Sequence, residues 1–168
     1  MLLAQLSVDR IMDADNQLTE LLSKYPDNPY LFLAKALERF AAADTRTALE
    51  YLDRSQEAAN DRAVSFVIRG EIQLRLFQFE KALASFEDAL QRDDKNVRAL
   101  LGKAHASYRL GDYSNAEQIY QVLYGSLSSF SADQQAEIQN GLAMTALERG
   151  DSAKSVEIWN QMKKSNSE

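Results

Sequence analysis

The sequence predicts an all-α solenoid built from antiparallel helix hairpins, four repeats preceded by a partial one at the N-terminus. Two observations carry this. Residues 63–96 read as two amphipathic helices joined by a short break, and the pattern of that unit recurs when the chain is slid against itself by 34 residues. A unit with apolar residues on both flanks must stack on copies of itself to bury them.

Within 63–96, Val64, Phe66, Val67 and Leu74 lie at helical spacing around Gly70, and Ala82, Phe86, Ala89 and Leu90 share one face of the helix that follows. The break Leu76-Phe77-Gln78-Phe79 has no proline, and Phe77 and Phe79 are expected to wedge the angle between the helices. Asp93-Asp94-Lys95-Asn96 has the chemistry of a helix stop followed by an N-cap. One period earlier, Gly70, Phe66, Ala82 and Phe86 fall on Ala36, Phe32, Ala48 and Leu52; one period later they fall on Ala104, Leu100, Ala116 and Tyr120. After an insertion the pattern returns with Ala143, Leu147, Ser155 and Trp159. Small residues belong where two helix backbones cross closely, with a bulky residue one turn beyond the small one of the second helix. Trp159 stands where Phe86 and Tyr120 stand, so it is read first as core and only second as an interface anchor.

Residues 97–124, VRALLGKAHASYRLGDYSNAEQIYQVLY, have a small residue at the centre of the first helix, then Gly-Asp-Tyr, then alanine followed four residues later by an aromatic. This resembles the tetratricopeptide repeat family, and Tyr25-Pro26-Asp27-Asn28 resembles the proline-containing tail that closes its repeats. The resemblance covers nearly the whole chain. It implies a right-handed superhelix whose first helices line a concave face used to bind proteins, and bacterial members often serve in secretion, pilus or envelope assembly. Two departures stand out. Lys35, Arg69 and Lys103 occupy a place where the family usually has leucine, and the turns at Ala43 and Phe77 lack its glycine.

The expected organisation is a single domain over 1–168. Residues 1–28 form a partial repeat or cap, the repeats are 29–62, 63–96, 97–130 and 136–168, and 125–133 is a serine-rich loop between repeats. Pro29 suits a first helical position, Asp44 or Thr45 can cap the second helix of the first repeat, and Ser131 can cap the helix after the loop. Met1–Ser7 is either the stub of a helix belonging to a longer array or part of an N-terminal cap.

Composition narrows the function. The chain is 45% hydrophobic and 26% charged, and it has no cysteine, so disulfides and thiolate metal sites are excluded. A net charge of −6 is the wrong sign for phosphate contacts, so no nucleic-acid partner is expected. No apolar run approaches the roughly 18 residues of a membrane span, so no direct membrane insertion is expected. His105 is the only histidine, and no nucleophile elbow, phosphate loop, dinucleotide fingerprint or zinc-protease motif is present. The expectation is a non-enzyme with no cofactor, no metal and no catalytic residue. The compartment is unassigned by the sequence, with the cytoplasm favoured over the periplasm.

If the first helices line a groove, residues one period apart form rows across it. The rows read Tyr30, Val64, Arg98 and Glu137; Leu33, Val67, Leu101 and Asn140; Leu37, Glu71, His105 and Met144; and Ala41, Arg75, Arg109 and Glu148. The candidate partner-binding residues are Tyr30, Leu33, Leu37 and Phe40 at an apolar end, with Glu71, Arg75, Arg98, His105 and Arg109 in the middle. An extended or helical segment of a protein or peptide partner is expected to lay an apolar side chain at the first group and a carboxylate against Arg75 and Arg109. Against this, Arg109 lies one period from Glu148 and His105 one period from Glu71, so both have internal partners on offer. The alternative is a structural segment of a longer scaffold, or a homo-oligomer formed through exposed terminal helices.

Overall fold

A computed structural model describes residue 13 and residues 15–58 and 63–165. Met1–Ser7, Ala14 and the last residues of the tail lie outside them. A first helix, α1, covers 15–24. Eight more follow: α2 (Pro29–Ala41), α3 (Thr45–Ala58), α4 (Ala63–Arg75), α5 (Phe79–Arg92), α6 (Val97–Arg109), α7 (Tyr113–Tyr124), α8 (Ala132–Glu148) and α9 (Ser152–Ser165). A single 3-10 turn, Leu127–Ser129, lies between α7 and α8. The first turn of α8 therefore falls inside the stretch read as loop. Its cause is a capping box, in which Ser131 accepts from the Gln134 backbone while the Gln134 side chain reaches back to the Ser131 backbone.

Polar residues set the helix starts. Asn28 accepts from the amides of Tyr30 and Leu31, Asn96 from Ala99, and Asp112 from Asn115. Asp44 accepts from the Thr47 amide and Asp151 from that of Lys154. The short links they close force α2 onto α3, α4 onto α5, α6 onto α7 and α8 onto α9 as hairpins. The first helix of each hairpin also touches the next, α2 on α4, α4 on α6 and α6 on α8. Among the described residues α3, α5, α7 and α9 make no comparable contacts with one another, so the row α2-α4-α6-α8 is the inner, concave side.

Each hairpin contributes to a buried cluster at the predicted positions: Ala36, Ala48 and Leu52; Phe66, Ala82 and Phe86; Ala104, Ala116 and Tyr120. Burying a side chain the size of Phe86 contributes about 2–3 kcal/mol, and Phe86 is wholly inaccessible. The last repeat departs from the prediction. Trp159 is 38% exposed and Ile158 is the buried residue. Phe86 lies between its own hairpin and α6, whereas among the described residues no helix follows α9 to cover Trp159 on its far side.

The two departures from the family pattern have physical answers. Lys35 is 2% exposed, its ammonium reaching Asp15 and donating to Thr19 Oγ1 at 3.2 Å. Arg69 reaches Asp53 and donates to Gln56 Oε1 at 2.6 Å, and Lys103 pairs with Glu87 at 3.0 Å. Each cation thus buries its stem where leucine would sit and carries its charge to the outer helix of the preceding repeat. The turns differ from expectation too. Phe77 is 70% exposed and wedges nothing; it and Ala43 take the left-handed backbone (φ 58° and 62°) that Gly111 and Gly150 take in the later turns (φ 82° and 87°).

Candidate functional site

The inner face carries two adjoining concavities that share His105 and Glu137. The first, about 330 Å³, lies between α6 and α8 and is lined by His105, Tyr108, Arg109, Tyr120, Glu137, Asn140, Gly141 and Met144. The second, about 210 Å³, is lined by Glu71, Leu74, Arg98, Leu101, Gly102, His105, Gln134 and Glu137. Glu71, Arg98 and His105 line the second and His105 and Arg109 the first, while Arg75 lines neither. Tyr30, Leu33, Leu37 and Phe40 line neither concavity. Tyr30 and Leu37 are exposed on α2, while Leu33 and Phe40 are partly buried against the Ala36 cluster.

The charged residues pair differently from the internal partners on offer in the sequence. Glu71 takes Arg98, not His105, in a bidentate pair with Arg98 Nη2 at 2.8 Å from both carboxylate oxygens and Nε at 3.1 Å from one. Glu148 accepts from the Tyr108 hydroxyl at 3.3 Å rather than from Arg109. The guanidinium of Arg75 lies 4.5 Å from the centre of the Phe40 ring, and that of Arg109 lies 4.3 Å from the Phe79 ring. Each guanidinium thus lies over an aromatic ring of the preceding hairpin. Every other lysine or arginine on α2, α4 and α6, namely Lys35, Arg39, Arg69, Arg98 and Lys103, has a carboxylate partner. Among the described residues Arg75 and Arg109 have none.

Local fields follow from this arrangement. Burial and the Arg109 charge hold the His105 imidazole below its ordinary value, so it is neutral at pH 7. Burial and the Glu71 charge push the Glu137 carboxyl up. Burial, with Glu137 and Tyr108 nearby, pushes the Tyr120 phenol up strongly. No group of three or more histidines, cysteines or carboxylates among the described residues is arranged to hold a metal ion. No helix among them is long and apolar enough to cross a membrane.

The sequence pattern assigned Tyr120 to the core and passed over Tyr108. Both line the larger concavity. Tyr120 is only 5% exposed, and its ring lies against Gly141 of the next hairpin. Periodicity had no signal for this edge, because it marks Tyr120 as buried without saying what its hydroxyl meets.

A family model described as Tetratricopeptide repeat matches residues 69–132. The chain is 26% identical to human tetratricopeptide repeat protein 12 over 127 residues, which is 69% of this chain and 18% of that protein. The chain thus spans less than a fifth of the length of that curated relative. Its fold is similar to the crystal structure of MamA, with a TM-score of 0.81 at 12% identity, covering 98% of this chain and 93% of the other. It is also similar to PilW, a type IV pilus biogenesis factor, with a TM-score of 0.80 at 18% identity, covering 96% and 73%. These likenesses establish the all-α repeat fold.

Proposed function

We propose that the inner face of this helical repeat chain is a non-catalytic docking groove for a segment of a protein partner, serving as an adaptor or assembly part of a larger complex. One observation carries the reading: the two inner cations without a carboxylate partner, Arg75 and Arg109, stand one period apart, each fixed against an aromatic ring. A guanidinium resting over a ring can still donate N–H bonds to a carboxylate and has little side-chain entropy left to lose on binding. An acidic segment crossing α4 and α6 supplies the missing carboxylates.

The test is a charge swap. With the protein that co-purifies with the full chain, Arg75→Glu combined with Arg109→Glu is expected to weaken binding at least tenfold while circular dichroism stays helical. Lysine substitutions at the partner's acidic residues should restore it. Unchanged affinity in the folded double variant removes the groove reading.

The exposed apolar side chains of the last hairpin, Leu147, Val156 and Trp159, favour a second reading as a self-associating segment. Sedimentation separates the two: concentration-dependent dimerisation lost in Trp159→Ser supports it, and a monomer at all concentrations removes it.

A further inference from the structure

Glu137 differs from the other carboxylates of the groove. Glu71 is neutralised by Arg98, and Glu148 accepts from Tyr108. Glu137 makes no hydrogen bond or ion pair with the described residues, yet it stands at the wall shared by the two concavities. None of the positive groups nearby pairs with it, although Arg109 lines the same pocket. Arg98 is held on both oxygens of Glu71, Arg109 rests on the Phe79 ring, and His105 is neutral. Glu137 is exposed at the groove surface, with another acid near it and no counter-charge, an arrangement that a cation from outside relieves.

The surroundings are those of a cation socket. Two phenol rings, Tyr108 and Tyr120, and the thioether of Met144 line the space beside Glu137. Aromatic faces and a carboxylate together recognise a guanidinium or ammonium on an aliphatic stem. At about 330 Å³ the pocket is at the lower limit of ligand sites, roughly 300–1,000 Å³, which suits one long side chain rather than a free cofactor.

We propose that the pocket between α6 and α8 is a socket for one basic side chain, lysine or arginine, of the partner segment, with Glu137 as its counter-ion and Tyr108, Tyr120 and Met144 as its walls. This rests on the groove reading and adds a second contact of opposite sign. Arg75 and Arg109 lie at the C-terminal ends of α4 and α6, while Glu137 lies near the N-terminal end of α8. A bound segment therefore meets a positive edge on one lip and a negative group on the other, which fixes its orientation.

The probe is Nα-acetyl-arginine N-methylamide, titrated into the isotope-labelled full chain and followed by amide NMR, with the uncharged citrulline isostere as control. The expected result is saturable shifts at His105, Asn140 and Gly141. Citrulline should bind at least tenfold more weakly, and Glu137→Gln should reduce the arginine probe to the citrulline level. Glu157→Gln on α9 should change nothing. The Glu137 carboxyl should titrate lower with the probe bound. Equal binding of the two probes, equal binding to Glu137→Gln, or no saturable shift at these amides overturns the proposal. The probe needs no partner, so its failure leaves the charge-swap result at Arg75 and Arg109 to stand or fall separately.

Discussion

The ring of Phe86 occupies the space a side chain on Gly102 would need: a Cβ built there would lie 2.2 Å from the ring Cζ. Phe86 belongs to the outer helix of one hairpin and Gly102 to the inner helix of the next. The relation recurs one period on, where a Cβ on Gly141 would lie 2.3 Å from Cζ of Tyr120. One period back the same positions hold Leu52 and Ile68, a smaller knob with a larger residue opposite, both in one buried cluster. Size is conserved across each joint although neither residue is, so the repeats lock by complementary volumes.

Gly102→Ala should therefore destabilise the protein by about 1–3 kcal/mol, as overpacking of a close-packed joint does. Helix propensity works the other way, since alanine is better than glycine in a helix interior by about 1 kcal/mol. The two effects separate in a double-mutant cycle. In a Phe86→Leu background, Gly102→Ala should become neutral or stabilising. Urea denaturation of the four proteins checks it, and an equal loss in both backgrounds would show that the ring is not the cause.

That joint also marks where the sequence stops being legible. Ala36, Gly70, Ala104 and Ala143 were readable as crossing points within a hairpin because the period exposes them. Gly102 and Gly141 were not, because they answer to a bulky residue in the preceding unit, which one-repeat patterning does not compare. The groove shows the same limit. Reading rows strictly at one period pairs Glu71 with His105, but crossed helices also meet on the diagonal, and Glu71 takes Arg98 two rows away. The three cations at leucine positions were visible as exceptions, while their carboxylates on neighbouring outer helices became visible only in three dimensions.

Ala43→Gly should raise stability by up to about 1 kcal/mol. Ala43 has φ 62°, and an L-residue with a Cβ in the left-handed region carries a strain of roughly 1–2 kcal/mol. Part of the gain is offset by the greater freedom of glycine in the unfolded chain. Ala43 is exposed and the change removes only a methyl group, so thermal unfolding should show a higher midpoint with the helix content unchanged. A lower midpoint would show that the turn is unstrained.

Asp15 ties α1 to the first full repeat. Its hydrogen bond from Lys35, aided by the Lys35 and Arg39 charges, holds its carboxyl below the ordinary 3.8. A carboxyl lowered in the folded state stabilises above its unfolded value, and that stability is lost as pH falls through the folded one. Asp15→Asn should cost about 2 kcal/mol at pH 7, since it leaves the buried Lys35 ammonium with less of its charge matched. The gap between variant and parent should close as the pH is taken below 3.8. A pH-independent gap would mean that Asp15 acts through packing alone.

Glu137 carries the opposite sign. Its carboxyl is raised above the ordinary 4.5, so the folded state favours the neutral form. Its contribution is full below 4.5 and is lost as the pH rises through the folded value. Glu137→Gln should therefore have a higher unfolding midpoint than the parent at pH 7 and the same midpoint below pH 4.5. A gain in stability from removing the one group proposed to hold a basic side chain is the usual mark of a binding residue kept at the expense of the fold. A loss at pH 7 would show that Glu137 has a stabilising partner of its own.

Trp159 and Phe86 hold equivalent places in the repeat but differ in what covers them. Phe86→Ala should cost about 3–5 kcal/mol, the usual range for emptying a buried aromatic site. Trp159 is larger, yet 38% of it is exposed, and its indole N–H donates to Asn140 Oδ1 at 3.3 Å on one side only. Trp159→Ala should cost less than half as much despite the larger group removed, because solvent already reaches the site and no closed cavity is left. The two variants, compared by urea denaturation at equal protein concentration, decide whether burial or repeat position sets the energy. Equal losses would require Trp159 to be covered in solution by a surface that the described helices do not supply. The apolar end of the last hairpin would then be an interface, and the loss for Trp159→Ala should grow with protein concentration.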